Sequence, residues 1–320
     1  LTFPLLTLPG AKAAIAIDTD AECSIEFDIS GNSSELLSAS IPVNLYKVAS
    51  VDVSGNYTVT DAFTGLDLSS VSADDLDAAA ATWAERAAEA KKLLKDDTEP
   101  TTVTLTQGRG TATGLKTGLY LVDTPKVITP NYTYTFTPYL VSLPTNNYYS
   151  GNDASDDWIY DLTKEMNSAV GLKPEEHVRY GNLVINKELV DHNATFGDEA
   201  TFVFQIDITT LDKKTETRIE ELTFSAAGND SVTIKKIPAG SKVVVKEIYS
   251  GASYKLTSAN DVTATIVAND EKEAGQVGET AVVSFTNEHD GRTNGGYGVK
   301  NNFKLDKNNQ YQYTEPAATD

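Results

Sequence analysis

The sequence predicts an all-β protein made of two tandem β-sandwiches, the first with a helical insertion. Three observations carry that expectation. Strand-length runs rich in Val, Ile, Thr, Tyr and Phe recur through both halves, broken by turn signals such as "SGN", "GND" and "PAGS". About seven such runs fall in each half, the number that a two-sheet sandwich uses. One Ala-rich stretch has helical periodicity instead.

The chain has 320 residues, room for two domains and a small extension, and 40% apolar residues, enough for packed cores. Its net charge of −20 argues against nucleic acid or an anionic membrane surface as a partner. The single cysteine, Cys23, rules out an intrachain disulfide and reads as a small buried hydrophobe at the start of a strand. The sequence has no run of 18 apolar residues, so it contains no segment of the kind that spans a membrane as a helix. Residues 1–20, "LTFPLLTLPGAKAAIAIDTD", read either as the remnant of a secretory signal, with "AIA" as a small-residue cleavage pattern, or as a mature N-terminal arm. Both readings imply secretion.

The first domain is expected over 21–175. Its strands are "CSIEFDIS", "IPVNLYKVASV", "NYTVTDAF", "TTVTLT", "GLYLVDTP", "YTYTFTPYLVSLP" and "WIYDLT". Residues 72–95, "SADDLDAAAATWAERAAEAKKLLK", break this pattern. Leu76, Ala80, Trp83, Ala87 and Leu94 share a helical face, Ser72 and Asp75 form an N-terminal capping pair, and Lys91, Lys92 and Lys95 complement the C-terminal end of the dipole. This helix is expected to cover the first sandwich, with a partner-binding helix as the other reading. "GLKPEEHVRYG", 171–181, reads as a hinge. The second domain, 182–289, carries "LVINKELV", "ATFVFQIDIT", "ELTFSA", "SVTIKKIP", "KVVVKEIYS", "VTATIVA" and "AVVSFTNE". Residues 290–320 form a polar extension with faint strands at "VKNNFKL" and "QYQYT", which could pair with a neighbouring sheet.

One feature of the second domain runs against strand patterning. Side chains alternate along a strand, so Leu183, Ile185 and Leu189 share a face, and Lys187 falls on it too. In "KVVVKEIYS" Glu247 joins Val243 and Val245, and in "AVVSFTNEHD" Asn287 joins Val283 and Phe285. A Lys, a Glu and an Asn thus each occupy an inward slot on three strands of one domain. Singly, each could be a bulge or a strand end at the rim. Together they suggest a buried triad. Burial disfavours the charged forms, lowering the lysine pKa and raising that of the carboxyl. A neutral amine is a nucleophile. A protonated carboxyl can donate to the amide oxygen of Asn287, polarise its carbon and relay protons. Attack with loss of ammonia would leave a Lys–Asn isopeptide bond, formed once per chain.

Residues 182–289 resemble a CnaB-type, or streptococcal-type, domain of Gram-positive sortase-assembled pilins. The residues that carry the likeness are "LVINKEL", "IPAGSKVVVKEI" followed by "SYKLT", and "VVSFTNEH". The first half resembles the N-terminal domain of such pilins through "IPVNLYKVA", "GLYLVDTP", "TPYLVSLP" and "WIYDLT". The resemblance covers roughly 21–289. It implies immunoglobulin-like (CnaB-type) sandwiches, a spontaneous bond between Lys187 and Asn287 assisted by Glu247 as the acid, and sortase-linked pilin subunits as partners in the cell wall of a Gram-positive bacterium.

The sequence also departs from that pattern. The opening strand "CSIEFDIS" has no lysine, and Asp123 stands at the place of the family's acid, so no such bond is expected in the first half. Lys47 in "LYKVA" reads as a solvated or rim lysine. The family's Tyr-Pro-Lys-Asn polymerisation motif does not occur, which leaves Lys173 in "GLKPE" as the candidate polymerisation lysine and Lys164 in "DLTKEMN" as its rival. No sorting signal stands in the closing "EPAATD"; a trimmed signal and a fragment of a longer chain both fit.

A turnover enzyme is not expected. His177, His192 and His289 have no metal-binding spacing, and there is neither a Gly-rich phosphate loop nor a nucleophile elbow. The paired carboxylates of "SDDW", 155–158, read as a turn. No cofactor and no metal are implied. The serious alternative to a shaft subunit is a cell-wall-anchored adhesin, tip or basal, using the tyrosines of "NYTYTFTPY" and "NNYYS" against a host or matrix ligand.

Overall fold

The computed structural model describes residues 15–69, 80–146, 158–163, 169–270, 279–292, 302–305, 307 and 310–314. The chain is all-β apart from short turns of helix and one longer helix among these residues. It divides into two compact units, Leu1–His177 and Val178–Asp320. The division falls inside the expected hinge, but that stretch is largely strand: Pro174–Val178 adds to the sheet of Tyr132–Phe136, and a new strand begins at Tyr180.

In the first unit, Ile41–Val51 and Gly118–Asp123 pair antiparallel at the centre of a five-stranded sheet completed by Tyr57–Val59, Thr101–Leu105 and Tyr139–Leu143. One face of this sheet meets a smaller sheet of Glu22–Asp28, Arg109–Lys116 and Asp161–Leu162. Cys23, Ile25 and Phe27 pack there with Val43, Leu45, Tyr120 and Val122. The other face packs against a helix, where Ala87 and Ala90 meet Phe63, Leu119 and Leu121. Gly118–Asp123 is therefore buried along its whole length. The sequence gives that strand a continuous apolar run where a half-exposed strand would alternate.

The helix is Ala80–Leu93. Ser72, Asp75 and Leu76, which the sequence offered for its start, lie outside the described residues, and Lys95 falls beyond its end. Trp83 packs edge-on against Tyr57 with centroids 6.5 Å apart, and the Lys91 ammonium pairs with Asp123. The helix covers the sheet through small alanines that allow close approach.

Arg109–Lys116, "RGTATGLK", is a strand that no apolar alternation announces. Glycine disfavours strands, but a Cβ at Gly110 would sit 2.8 Å from Val103 Cγ1. The glycine serves close approach here and does not mark a turn.

The second unit has two four-stranded sheets. One runs Gly228–Pro238, Tyr180–Leu189, Ala281–His289, Tyr254–Leu256; the other runs Thr215–Phe224, Ala200–Thr209, Lys242–Tyr249, Asp261–Thr265. Their facing sides form one core that includes Leu183, Ile185, Phe202, Phe204, Val243, Val245 and Phe285. Burying each such side chain contributes about 1.5 to 3 kcal/mol. Ala200–Thr209 alternates buried and half-buried without interruption, as its sequence demands. Gly181 lets the first strand pass close to the backbone, since a Cβ there would lie 1.9 Å from the Val267 carbonyl oxygen. In the extension, Asn302–Leu305 and Tyr311–Thr314 pair with each other and with no further strand among the described residues.

Candidate functional site

The first and last strands of the two packed sheets are neighbours. Tyr180–Leu189 and Ala281–His289 run parallel with Lys187 level with Phe285 and Leu189 level with Asn287. The parity of the first strand points Lys187 into the core with Leu183, Ile185 and Leu189. The parity of the last points Asn287 inward with Val283 and Phe285.

Glu247 arrives from the opposite sheet. There the pairing shifts from Val203 with Tyr249 to Phe204 with Glu247, so Ile248 is an extra residue on its strand. This bulge ends the alternation: Glu247 is the last inward residue, and Ile248 and Tyr249 are both exposed.

The three side chains meet. Lys187 and Asn287 are 1% and 0% exposed, and the Lys187 and Glu247 side chains are fully buried. The Lys187 amine donates a hydrogen bond to Asn287 Oδ1. Asn287 Nδ2 donates to Glu247 Oε1 at 2.6 Å. Glu247 Oε2 closes the ring 3.1 Å from Lys187 Nζ, a charge contact without the angle of a hydrogen bond. Burial pushes the Lys187 pKa down, with the Glu247 carboxylate opposing and Glu188 opposing further. An amine so placed reaches its neutral, nucleophilic form more easily than one in water.

One detail differs from the sequence expectation. The sequence places the carboxyl on the amide oxygen; in the structure it sits on the amide nitrogen and on the amine. Glu247 thus spans the Lys187 amine and the Asn287 amide nitrogen, one carboxyl oxygen to each. The amide oxygen is polarised by the lysine N–H itself.

The sequence reading missed Phe202, whose ring centroid lies 4.3 Å from Lys187 Nζ. Periodicity marks Phe202 as inward but gives no sign of which of several inward aromatics would face the amine. Phe204 and Phe285, with centroids 5.2 Å apart, add to the apolar surroundings.

The other candidates belong to the first unit. Lys173 is exposed; its neighbour Leu172 is buried and its carbonyl accepts from Thr137 N at 3.4 Å. Lys164 lies outside the described residues. Asp123 is buried and engaged by Lys91. Lys47 is half-buried, which fits the rim alternative, and burial first, then Lys116, pushes its pKa down. Cys23 is fully buried; burial raises its thiol to about 11 against the opposing field of Lys47. Tyr134, from the tyrosine-rich segment, is also buried, and its hydroxyl bonds Ser33 and Glu176. That tyrosine is committed to packing, and Tyr148 and Tyr149 lie outside the described residues. Among the described residues no group of three or more His, Cys, Asp or Glu is gathered as for a metal ion, and no helix is long and apolar enough to cross a membrane.

A family model described as a domain of unknown function, DUF5979, matches residues 183–290, which span the whole Lys–Glu–Asn cluster. No curated protein matches the chain. Solved structures do. The minor pilin GBS52 of Streptococcus agalactiae is 15% identical with a TM-score of 0.25, covering 83% of this chain and 96% of its own. The Bacillus anthracis TIE protein is 10% identical with a TM-score of 0.32, covering 84% of this chain and 34% of its own. The major pilin SpaD of Corynebacterium diphtheriae is 13% identical with a TM-score of 0.27, covering 85% of this chain and 99% of its own. Pilins and pilus adhesins recur among the similar structures. At these identities and TM-scores no residue role passes from them to this chain.

Proposed function

We propose that the chain is a structural subunit of a covalently polymerised pilus on the surface of a Gram-positive bacterium, and that its second unit forms an intramolecular isopeptide bond between Lys187 and Asn287. The observation that carries this reading is the closed ring of Lys187, Asn287 and Glu247 with its side chains buried in the core. The Lys187 nitrogen attacks the Asn287 side-chain carbon. The C–N bond to Nδ2 breaks as the new C–N bond forms. Glu247 first takes a proton from the Lys187 ammonium through Oε2, which frees the amine, and then hands a proton to the departing Nδ2 through Oε1 as the attacking nitrogen gives up its second one, so that ammonium, carboxylate and Asn287 amide become a Lys–Asn amide, ammonia and a neutral carboxyl. The site turns over once.

The mechanical sense of such a bond follows from topology. It ties the first strand of the sandwich to the last, so a pull on the ends of the sandwich loads a covalent link instead of a hydrogen-bond ladder. Closing the loop between residues 100 positions apart contributes about 4 to 5 kcal/mol by analogy with disulfides. The bond is indifferent to redox state, which suits a secreted protein with a single cysteine. Lys173 is the proposed amine for joining the next subunit through a sortase, because it is exposed on a backbone held between the buried Leu172 and the strand starting at Pro174.

The deciding experiment is intact mass. The purified chain is expected to be lighter than its sequence by one ammonia, about 17 Da. A mass equal to that of the sequence overturns the crosslink.

A further inference from the structure

The amine of Lys187 has a third neighbour besides the two oxygen atoms. An ammonium group carries three N–H donors. Asn287 Oδ1 and Glu247 Oε2 stand on two sides of it, and the face of the Phe202 ring stands on another, 4.3 Å from nitrogen to centroid. A cation within about 6 Å of a ring face is attracted by the ring quadrupole, more strongly when water is excluded. Phe202 is itself fully buried. Its ring stands edge-on to Phe224 at 5.7 Å and tilted against Tyr254 at 5.6 Å.

We infer that Phe202 is a positioning residue for the crosslink: its ring face holds the Lys187 ammonium against the Asn287 amide in the folded, unreacted chain and sets how readily that ammonium gives its proton to Glu247. This rests on the crosslink reading above and adds a group to it. The unreacted fold must bury a lysine before the reaction removes its charge. Burial favours the neutral amine, while Glu247 and the ring face favour the ammonium, so the chain can fold around the charged form and still release its proton locally. The groups facing Lys187 are few. Glu247 approaches from the opposite sheet, Glu188 adds its field from the same strand, and Asp230 stands level with Lys187 on the neighbouring strand but is exposed.

The test uses the full chain with Asn287→Ala, which keeps Lys187, Glu247 and Phe202 but has no amide to attack. The Lys187 side chain is titrated by NMR through its Cε and Nζ signals, with phenylalanine at position 202, with Phe202→Leu, and with pentafluorophenylalanine at 202. The last keeps the ring's shape and inverts its quadrupole, which guards against a leucine variant that fails to fold. The expected result is a downward shift of the Lys187 midpoint on the order of one pH unit in both replacements. An unchanged midpoint with the fluorinated ring overturns the assignment, because a merely space-filling ring would leave it in place. The outcome is separable from the crosslink reading: a wild-type chain of full sequence mass refutes the bond and leaves the titration standing, and an unchanged titration refutes the role of Phe202 and leaves the bond.

Discussion

Asn287 stands two residues beyond Lys187 on the neighbouring parallel strand, level with Leu189, and the lysine side chain leans across that offset to reach it. The offset matters because directly level inward residues, such as Lys187 and Phe285, would set a long side chain beside the other strand's side chain root. Two residues of stagger suit a lysine reaching a short amide. Loss of the acid, the length of the lysine or the bulge that presents Glu247 should each therefore disturb the site in a distinct way.

Glu247→Ala is expected to restore the full sequence mass and to lower the melting temperature. Two effects add. The closed loop is lost, about 4 to 5 kcal/mol, and Lys187 is left buried without its partner, which for a broken buried pair costs about 3 to 5 kcal/mol. Glu247→Gln should also stop the reaction, since an amide cannot relay the proton, but with a smaller stability loss because it can still accept from Asn287 Nδ2. Thermal unfolding alongside intact mass measures both; a Glu247→Ala chain that still loses ammonia removes the acid from the mechanism.

Replacing Lys187 by Arg should abolish the mass loss while retaining a cation. The guanidinium stays protonated and is no nucleophile, and its fork does not match a pocket that holds a single nitrogen against a ring face. Limited proteolysis should then cut the second unit sooner than in the wild type. Equal cutting rates would mean the bond does not protect the unit.

The two units should differ. Asp123, at the acid's expected place, is held by Lys91, and the strand Glu22–Asp28 offers no lysine. One ammonia should be lost per chain, and protease should open the first unit before the second. A loss of two ammonias would reveal a second bond.

Acid should loosen the first unit at a defined place. Hydrogen bonds from Ser30, with Arg109 adding charge, hold the Asp28 carboxyl at about 2, down from 3.8. A depressed carboxyl stabilises the fold fully above its unfolded value and loses that contribution as pH falls through the folded one. The Asp28 contribution should therefore fade between about pH 4 and pH 2. Denaturant midpoints of wild type and Asp28→Asn should converge across that window; a constant gap down to pH 2 would contradict it.

Polymerisation is read in the producing cell. Lys173→Arg keeps the charge and removes the usable amine, so the high-mass ladder on denaturing gels should vanish. A ladder that survives this and disappears with Lys164→Arg moves the role to Lys164. A wild-type protein that never forms a ladder favours the adhesin reading.

The inward places of three polar residues are legible in the amino-acid order alone. That is a local matter, because a two-residue period assigns each side chain to a face as soon as the strand is recognised, and "LVINKELV" and "AVVSFTNE" are recognised from a few apolar positions. The helix after Ala80 and most of the strands are legible in the same way, though Arg109–Lys116, Pro174–Val178 and Tyr254–Leu256 are not. The amino-acid order does not determine which inward places touch. Lys187 and Asn287 are 100 residues apart in the chain and Glu247 is 40 from Asn287. Only the parallel pairing of first and last strands, the bulge at Ile248 and the stacking of one sheet on the other bring them together with Phe202. Those are choices among long-range partners, fixed by how two whole sheets fill a shared core, and no period along a single strand records them.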